Sequence, residues 1–208
     1  MLIGVAKEIK NNEFRIGMTP TSVREAIAHG HQVIVETNAG VGIGRSDDDY
    51  RAQGAEIADT AEEIFARADM IVKVKESQAS ERKQLREQQL LFKYLHLALD
   101  PEQMKDLVDS GAICIAYETV TDAKGRLPLL APMSQVAGRM SVQAGAHCLE
   151  RAQGGQEILI GGVPGVAAAK VVVIGGGVVG ENAIQMAVGV GADVTALDRN
   201  LDVLNHLA

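Results

Sequence analysis

The stretch Lys170–Ala183, KVVVIGGGVVGENA, decides the reading of this chain. An apolar strand, Lys170–Ile174, runs into Gly175-x-Gly177-x-x-Gly180 and from there into a helical pattern that lasts to about Val190. Each glycine has its own physical reason. Gly175 permits the tight turn out of the strand, Gly177 lets backbone approach a pyrophosphate, and Gly180 allows the helix to pack close on the strand. The free N–H groups and positive dipole end of the helix favour phosphate charge. A second strand, Asp193–Leu197, follows, and Asp198 stands 18 residues beyond Gly180. An acid there accepts hydrogen bonds from ribose hydroxyls and repels a 2′-phosphate, so the expected cofactor is NAD rather than NADP. The plain alternative is a Gly-rich turn needed only for packing.

A whole dinucleotide domain has two βαβαβ halves, with the nicotinamide on the second. Only eleven residues follow Leu197, with a last helix beginning at Asn200, so this part supplies the half that holds ADP. The expectation is a second domain truncated after its first βαβ unit, its last strand edge unfinished and its last helix without partners. Apolar surface exposed there favours association.

Upstream, short apolar runs alternate with helical patterns. Strands are expected at Leu2–Val5, Gln32–Glu36, Met70–Lys75, Leu90–Leu95 and Ala112–Tyr117. Thr19-Pro20 and Asp100-Pro101 each offer an N-cap followed by proline at the first helical position, and Gly30 and Gly111 close those helices. Helical stretches are also expected around Asp47–Gln53 and Ala61–Ala66, after the Gly-rich loop Thr37–Gly44, and a turn at Asp122–Arg126. This alternation gives an α/β fold of two Rossmann-like parallel-sheet domains. The helix Pro132–Leu149 and the break GGQEILIGGVPG at Gly154–Gly165 mark the transition. Residues 1–130 form a substrate domain, and 131–208 a connecting helix with the incomplete dinucleotide domain.

Of the 208 residues, 47% are hydrophobic and only 3% aromatic, so the core is built from Val, Ile, Leu, Ala and Met, a mix that suits parallel sheets covered by helices. The formal net charge of −7 argues against nucleic acid or an anionic membrane surface as partner. Cys114 and Cys148 form no CxxC and share no metal-ligand spacing with histidine, so no metal is expected. A reducing compartment fits, although the two could pair. The N-terminus meets charge already at Lys7 and no long apolar run follows, which reads as a cytoplasmic protein without a membrane segment.

In open parallel sheets ligands bind beyond the carboxyl ends of the strands. Arg15 follows the first strand, Lys75 ends MIVKVK, and His96 ends LLFKYLH. Arginine grips a carboxylate with two parallel hydrogen bonds, lysine adds a compact charge, and histidine exchanges a proton near neutral pH. Together they suit a small anionic keto or amino acid. The bland readings are solvated cations and a histidine capping a core through backbone hydrogen bonds.

Longer matches are more specific. GVAKEIKNNEFRIGMTPTSVREAIAHGH closely resembles the opening signature of alanine dehydrogenases and the related transhydrogenase α subunits. KVKE, YLHLA, AYETV, LPLLAPMSQVAGRMSVQAGAH, GGVPGV and VVIGGGVVGENA are similar to alanine dehydrogenase in the same order, over essentially the whole chain. The resemblance implies reversible, NAD-dependent oxidative deamination of L-alanine to pyruvate and ammonium. It implies Arg15 and Lys75 at the substrate carboxylate and carbonyl, His96 as general acid/base, and Met133 near the space shared by nicotinamide and substrate. Ser134 and the Gly175–Gly180 loop, Gly175, Gly177, Val178, Val179 and Gly180, would contact the cofactor, and Asp198 the ribose. A homo-oligomer, commonly a hexamer, is implied as well. Departures from the pattern are Ala6 and Ala168 where proline is frequent, Gln135 for an acid, Lys93 for a small hydroxyl residue and Val203 for a basic residue. The alternatives are a proton-translocating transhydrogenase α subunit, against which YLHLA and APMSQVAGRM speak, or an inactive fragment serving as a binding or oligomerisation module. A polypeptide ending at Ala208 is expected to have negligible turnover.

Overall fold

A computed structural model describes residues 1–208. The chain divides into two units, Met1–Val120 and Thr121–Ala208.

In the first unit six short strands form one parallel sheet: β1 (Leu2–Val5), β2 (Gln32–Glu36), β3 (Glu56–Ala58), β4 (Met70–Val72), β5 (Leu90–Lys93) and β6 (Ile113–Ala116). Their spatial order is β3-β2-β1-β4-β5-β6, the doubly wound arrangement. The chain winds outward from β1 in one direction, returns, and winds outward in the other. The reversal lies between β1 and β4, which pair Ile3 with Met70 and Gly4 with Ile71. Side chains alternate between two buried faces. Val33 and Val35 of β2 join Val5, Val23 and Tyr50 on one side, while Ile34 joins Ile64, Phe65, Ile71 and Leu91 on the other. Period-two burial on both faces explains why the strands read as continuous apolar runs.

The helices form where their caps are. The Thr19 side chain accepts from Ser22 N–H to open α1 (Pro20–Ala28). Ser46 and Asp49 make a reciprocal capping box on α2 (Asp47–Arg51). Thr60 caps α3 (Ala61–Arg67), Gln78 and Glu81 cap the single turn α4 (Ala79–Arg82), and Asp100 caps α5 (Pro101–Asp109). Strand β3 and helix α4 are short additions to the sequence reading. Two expected strands end early: β4 stops at Val72, not Lys75, and β5 at Lys93, not Leu95. Beyond Val72 the chain leaves the ladder because Val74 N–H bonds to a side chain, Glu8 Oε1, at 2.6 Å.

In the second unit a tight turn closes Asp122–Arg126, with Asp122 N–H donating to Arg126 O at 2.8 Å. The long α6 (Ala131–Leu149) packs on α7 (Val178–Gly189). Buried Gly138 sits at their crossing, where a Cβ would meet Val179 O and Asn182 Cβ. Strands β7 (Lys170–Ile174) and β8 (Asp193–Leu197) pair in parallel across α7, from Lys170 with Asp193 to Ile174 with Leu197. This is one βαβ unit, followed by α8 (Leu201–Leu207), capped by Asn200. One face of the two strands is uncovered, leaving Ile174 85% exposed. The expectation that the last helix has no partners is corrected: Val203 Cγ1 and Leu207 Cδ1 lie 2.5 and 2.7 Å from where a Cβ on Gly176 would stand, so α8 covers the glycine loop. Both cysteines are free, Cys114 half-buried and Cys148 exposed. No helix is long and apolar enough to cross a membrane.

Candidate functional site

At the strand-order reversal, a buried charge cluster joins the carboxyl ends of β1 and β4. Lys73 Nζ, fully buried, lies 2.7 Å from Glu81 Oε1, 3.3 Å from Glu8 Oε2 and 3.1 Å from the Lys7 carbonyl. The second carboxylate oxygens accept backbone N–H groups, Glu8 from Val74 and Glu81 from Gln78 at 2.8 Å. Buried charges are tolerated only when satisfied in this way. The cluster ties the segments after β1 and β4 together and so fixes the floor from which the expected site residues rise.

Two of the three residues expected at strand ends, Lys75 and His96, meet one ring, and the third, Arg15, shares with Lys75 an influence on one carboxylate. Arg15 grips Glu13 with both arms of the fork, Nε to Oε1 at 2.8 Å and a terminal nitrogen to Oε2 at 2.6 Å. Arg15 holds the Glu13 carboxyl below the usual carboxylate range, and Lys75 adds to the effect. Lys75 Nζ stands 5.3 Å from the centroid of the Tyr94 ring, within cation–π range. Tyr94 in turn meets the His96 ring edge-on at 5.5 Å between centroids, and the Tyr117 ring at 6.1 Å. Burial pushes the Tyr117 hydroxyl up to about 12, and it donates to Val74 O at 2.7 Å. Lys75 and His96 therefore flank the Tyr94 ring, while Arg15 acts with Lys75 on the Glu13 carboxyl.

His96 has carboxylates on two sides. Its Nδ1 lies 3.4 Å from Glu76 Oε1, whose other oxygen pairs with Lys10 Nζ at 2.6 Å. Burial alone would raise the Glu76 carboxyl, but the Lys10 hydrogen bond and charge outweigh it and leave the group below its ordinary value. The Glu118 carboxylate accepts the backbone N–H groups of Leu95 and His96 at 3.1 and 3.0 Å. An imidazole with Nδ1 toward a carboxylate presents Nε2 outward, the orientation a general acid/base needs. Sequence reasoning missed Glu13, Glu76, Tyr94, Tyr117 and Glu118. KVKE and AYETV were singled out, yet only the strand order brings them beside YLH.

The second unit holds the glycine signature. Gly175 turns out of β7 at φ 95°, a conformation reserved in practice for glycine. A Cβ on Gly177 meets nothing within 4 Å, whereas one on Gly180 would collide with Gly175 O. Helix α7 has no side-chain cap, so the first-turn N–H groups of Val178, Val179 and Gly180 are presented by bare backbone. Ser134 of α6 lines one largely apolar cavity of ≈ 1270 Å³ with Gly175, Gly177, Val178, Val179 and Gly180. Met133, half-buried, precedes Ser134 on α6 and is not among the cavity residues. Asp198 accepts Gly176 N–H at 2.7 Å and Asn200 N–H at 2.8 Å, and these bonds hold its carboxyl low. Each oxygen keeps acceptor capacity for a hydroxyl. An uncapped helix start behind an open glycine is the cradle a pyrophosphate fits, so these residues suit a dinucleotide. No group of three or more His, Cys, Asp or Glu side chains is arranged to hold a metal ion.

A doubly wound sheet with an acid/base histidine candidate at its reversal, followed by a βαβ unit with the glycine signature, defines a two-domain Rossmann-type α/β protein. The models of the alanine dehydrogenase/PNT N-terminal and C-terminal domains match residues 4–137 and 141–208, and the chain belongs to this family. It is 57% identical over 207 residues to the alanine dehydrogenase of Halomonas elongata, covering 100% of this chain and 56% of that protein. A solved structure of an L-alanine dehydrogenase superposes with a TM-score of 0.92 at 52% identity, over 100% of this chain and 57% of that one. The transhydrogenase of Sinorhizobium meliloti gives a TM-score of 0.83 at 28% identity, over 100% of this chain and 61% of that one. The chain thus spans little more than half the length of the curated relatives it matches.

Proposed function

We propose that this chain carries the substrate site and the ADP-binding half of an NAD-dependent alanine dehydrogenase, which converts L-alanine reversibly to pyruvate and ammonium. The reading rests on one observation: Lys75 and His96 meet the same Tyr94 ring, and the charges of Arg15 and Lys75 both act on the Glu13 carboxyl beside them. Residues 1–130 serve the substrate, and 131–208 the connecting helix and the dinucleotide.

Arg15 takes the substrate carboxylate in its fork, displacing Glu13, and Lys75 adds charge at the carbonyl side. Fixing the carboxylate orients C2, and orientation of this kind is a large share of a rate enhancement. His96, with Nδ1 toward Glu76, exchanges the proton on the C2 substituent through Nε2. A bound nicotinamide dinucleotide supplies the hydride acceptor. Oxidation at C2 leaves the imine, which water hydrolyses to pyruvate and ammonium. In the second unit the Gly175–Gly180 backbone and Ser134 hold phosphate, and Asp198 takes the ribose hydroxyls and disfavours a 2′-phosphate. Met133 borders the substrate side. Family likeness supports a cytoplasmic homo-oligomer, commonly a hexamer, and these assignments stand or fall with it.

The test is alanine-dependent NADH formation alongside the intact mass of the purified protein. In a protein of mass well above 22.0 kDa, turnover with alanine and NAD, lost in His96→Ala with retained folding, is the expected result, whereas a mass near 22.0 kDa with no turnover favours the inactive fragment. A folded protein that binds neither NAD nor pyruvate overturns the proposal.

A further inference from the structure

The peptide joining Leu95 to His96 is held from both ends. Fully buried Gln103 of α5 donates through Nε2 to the Leu95 carbonyl at 2.8 Å. On the other side the Glu118 carboxylate accepts both N–H groups, Oε1 from His96 at 3.0 Å and from Leu95 at 3.1 Å, and Oε2 from Leu95 at 3.3 Å as well. In a trans peptide the C=O and the following N–H point in opposite directions, so grips on both fix the plane. That plane carries His96 into φ 52°, ψ 41°, the left-handed region. A residue with a branched or bulky side chain persists there only where its surroundings over-determine it. The conformation also begins the 3-10 turn Leu97–Leu99, so the direction of the imidazole depends on it.

We infer that Glu118 is a positioning residue for His96, clamping the Leu95–His96 peptide against Gln103 so that the imidazole is aimed with Nδ1 toward Glu76. The inference rests on the reading of His96 as acid/base. Glu118 stands in the turn after β6, the neighbour of β5, and acts through backbone alone. Since Oε1 reaches both N–H groups, a glutamine with its oxygen there keeps the clamp in weakened form, losing the charge and the longer Oε2 bond, whereas alanine removes it.

The experiment compares wild type with Glu118→Gln and Glu118→Ala by amide hydrogen exchange and by steady-state kinetics with alanine and NAD. Loss of these charge-assisted hydrogen bonds should speed exchange at Leu95 and His96 by about tenfold or more in the alanine variant, with the rest of the sheet unchanged. Its kcat should fall by about tenfold to a hundredfold while KM for alanine moves less than about threefold, since the carboxylate clamp at Arg15 is untouched. Glutamine should restore much of both. If alanine abolishes folding, Glu118→Asp replaces it: too short to reach both N–H groups, it should be slower than the glutamine variant. Equal kcat in wild type and Glu118→Ala, or a uniform rise in exchange over the whole unit, overturns the inference. A folded wild type of mass well above 22.0 kDa without alanine turnover overturns the functional reading instead, and exchange at Leu95 and His96 reads the clamp separately whatever the mass.

Discussion

Arg15 already holds a carboxylate, that of Glu13, in the two-pronged geometry a substrate carboxylate would take. A ligand must therefore exchange one charge-assisted pair for another, and the intramolecular one has the advantage of proximity. Replacing Glu13 by glutamine keeps the volume and weakens the competitor by roughly 1 kcal/mol, the difference between charged and neutral hydrogen bonds. Pyruvate should then bind about fivefold more tightly to Glu13→Gln, read by titration calorimetry. Weaker binding would mean that Glu13 helps to hold the ligand rather than competing for Arg15. Lys93 makes a different prediction. It is fully buried, donates only a long 3.4 Å bond to Gln103 Oε1, and burial pulls its ammonium down to about 8. Glu81, Glu76 and Cys114 support the charge and Lys73 opposes it. Between pH 8 and the ordinary lysine value of 10.5, the unfolded chain keeps a proton that native Lys93 has released, so this residue's contribution to stability rises with pH. Below that window both states are protonated and the fold bears the cost of a buried charge, ~3 kcal/mol. Urea unfolding of wild type and Lys93→Met at pH 7.5 and 10 should show the difference moving toward wild type by about 2–3 kcal/mol. Parallel pH curves would refute it.

At the scale of elements, the turn from β7 into α7 separates a folding role from a binding role within one motif. Gly177 has open space around a Cβ and an ordinary negative φ of −69°, so alanine fits there. Gly180 lies so close to Gly175 O that a Cβ must displace backbone. Gly177→Ala should leave the melting temperature nearly unchanged, within about 0.5 kcal/mol of stability, yet weaken NAD binding by roughly tenfold by filling the approach to the phosphates. Gly180→Ala should lose about 1–3 kcal/mol of stability as well, seen in the same melt. Equal losses of stability in the two variants would show the motif to be a packing turn. That Gly175, Gly177 and Gly180 could be read at all reflects how local their reasons are: a turn, an approach and a contact within a few residues. Caps at Thr19, Asp100 and Asn200 were legible on the same grounds. The strand ends were less so, because Val74 leaves the ladder for Glu8, a residue 66 positions away. Glu13, Glu76 and Glu118 read as ordinary surface acids until the order β1-β4-β5-β6 sets their loops side by side. Lys73 and Lys93 look like solvated cations and are among the largest fully buried side chains, since their partners come from other elements.

For the whole molecule, each unit holds its own core and the polar groups proposed for one half of the chemistry. The first has the carboxylate-binding cations and the histidine among β1, β4, β5 and β6. The second has the glycine loop, Ser134 and Asp198. A small keto acid needs a cationic fork and a proton donor, and an adenosine diphosphate needs a helix N-terminus and an acid for the ribose. Neither list draws on the other unit, so the two half-ligands should bind separately. Oxamate, a pyruvate mimic, should shift amide resonances near Arg15, Lys75, His96 and Glu118 without moving those of Gly175–Gly180. ADP should do the reverse and also shift Ser134 and Asp198. Because ADP lacks a 2′-phosphate, adding one tests Asp198 directly: repulsion between like charges should weaken 2′-phospho-ADP by about tenfold relative to ADP, and more at low salt than at high. Oxamate shifts confined to the second unit, or equal affinity for the two nucleotides, would show that the chemistry has been divided wrongly between the sheets.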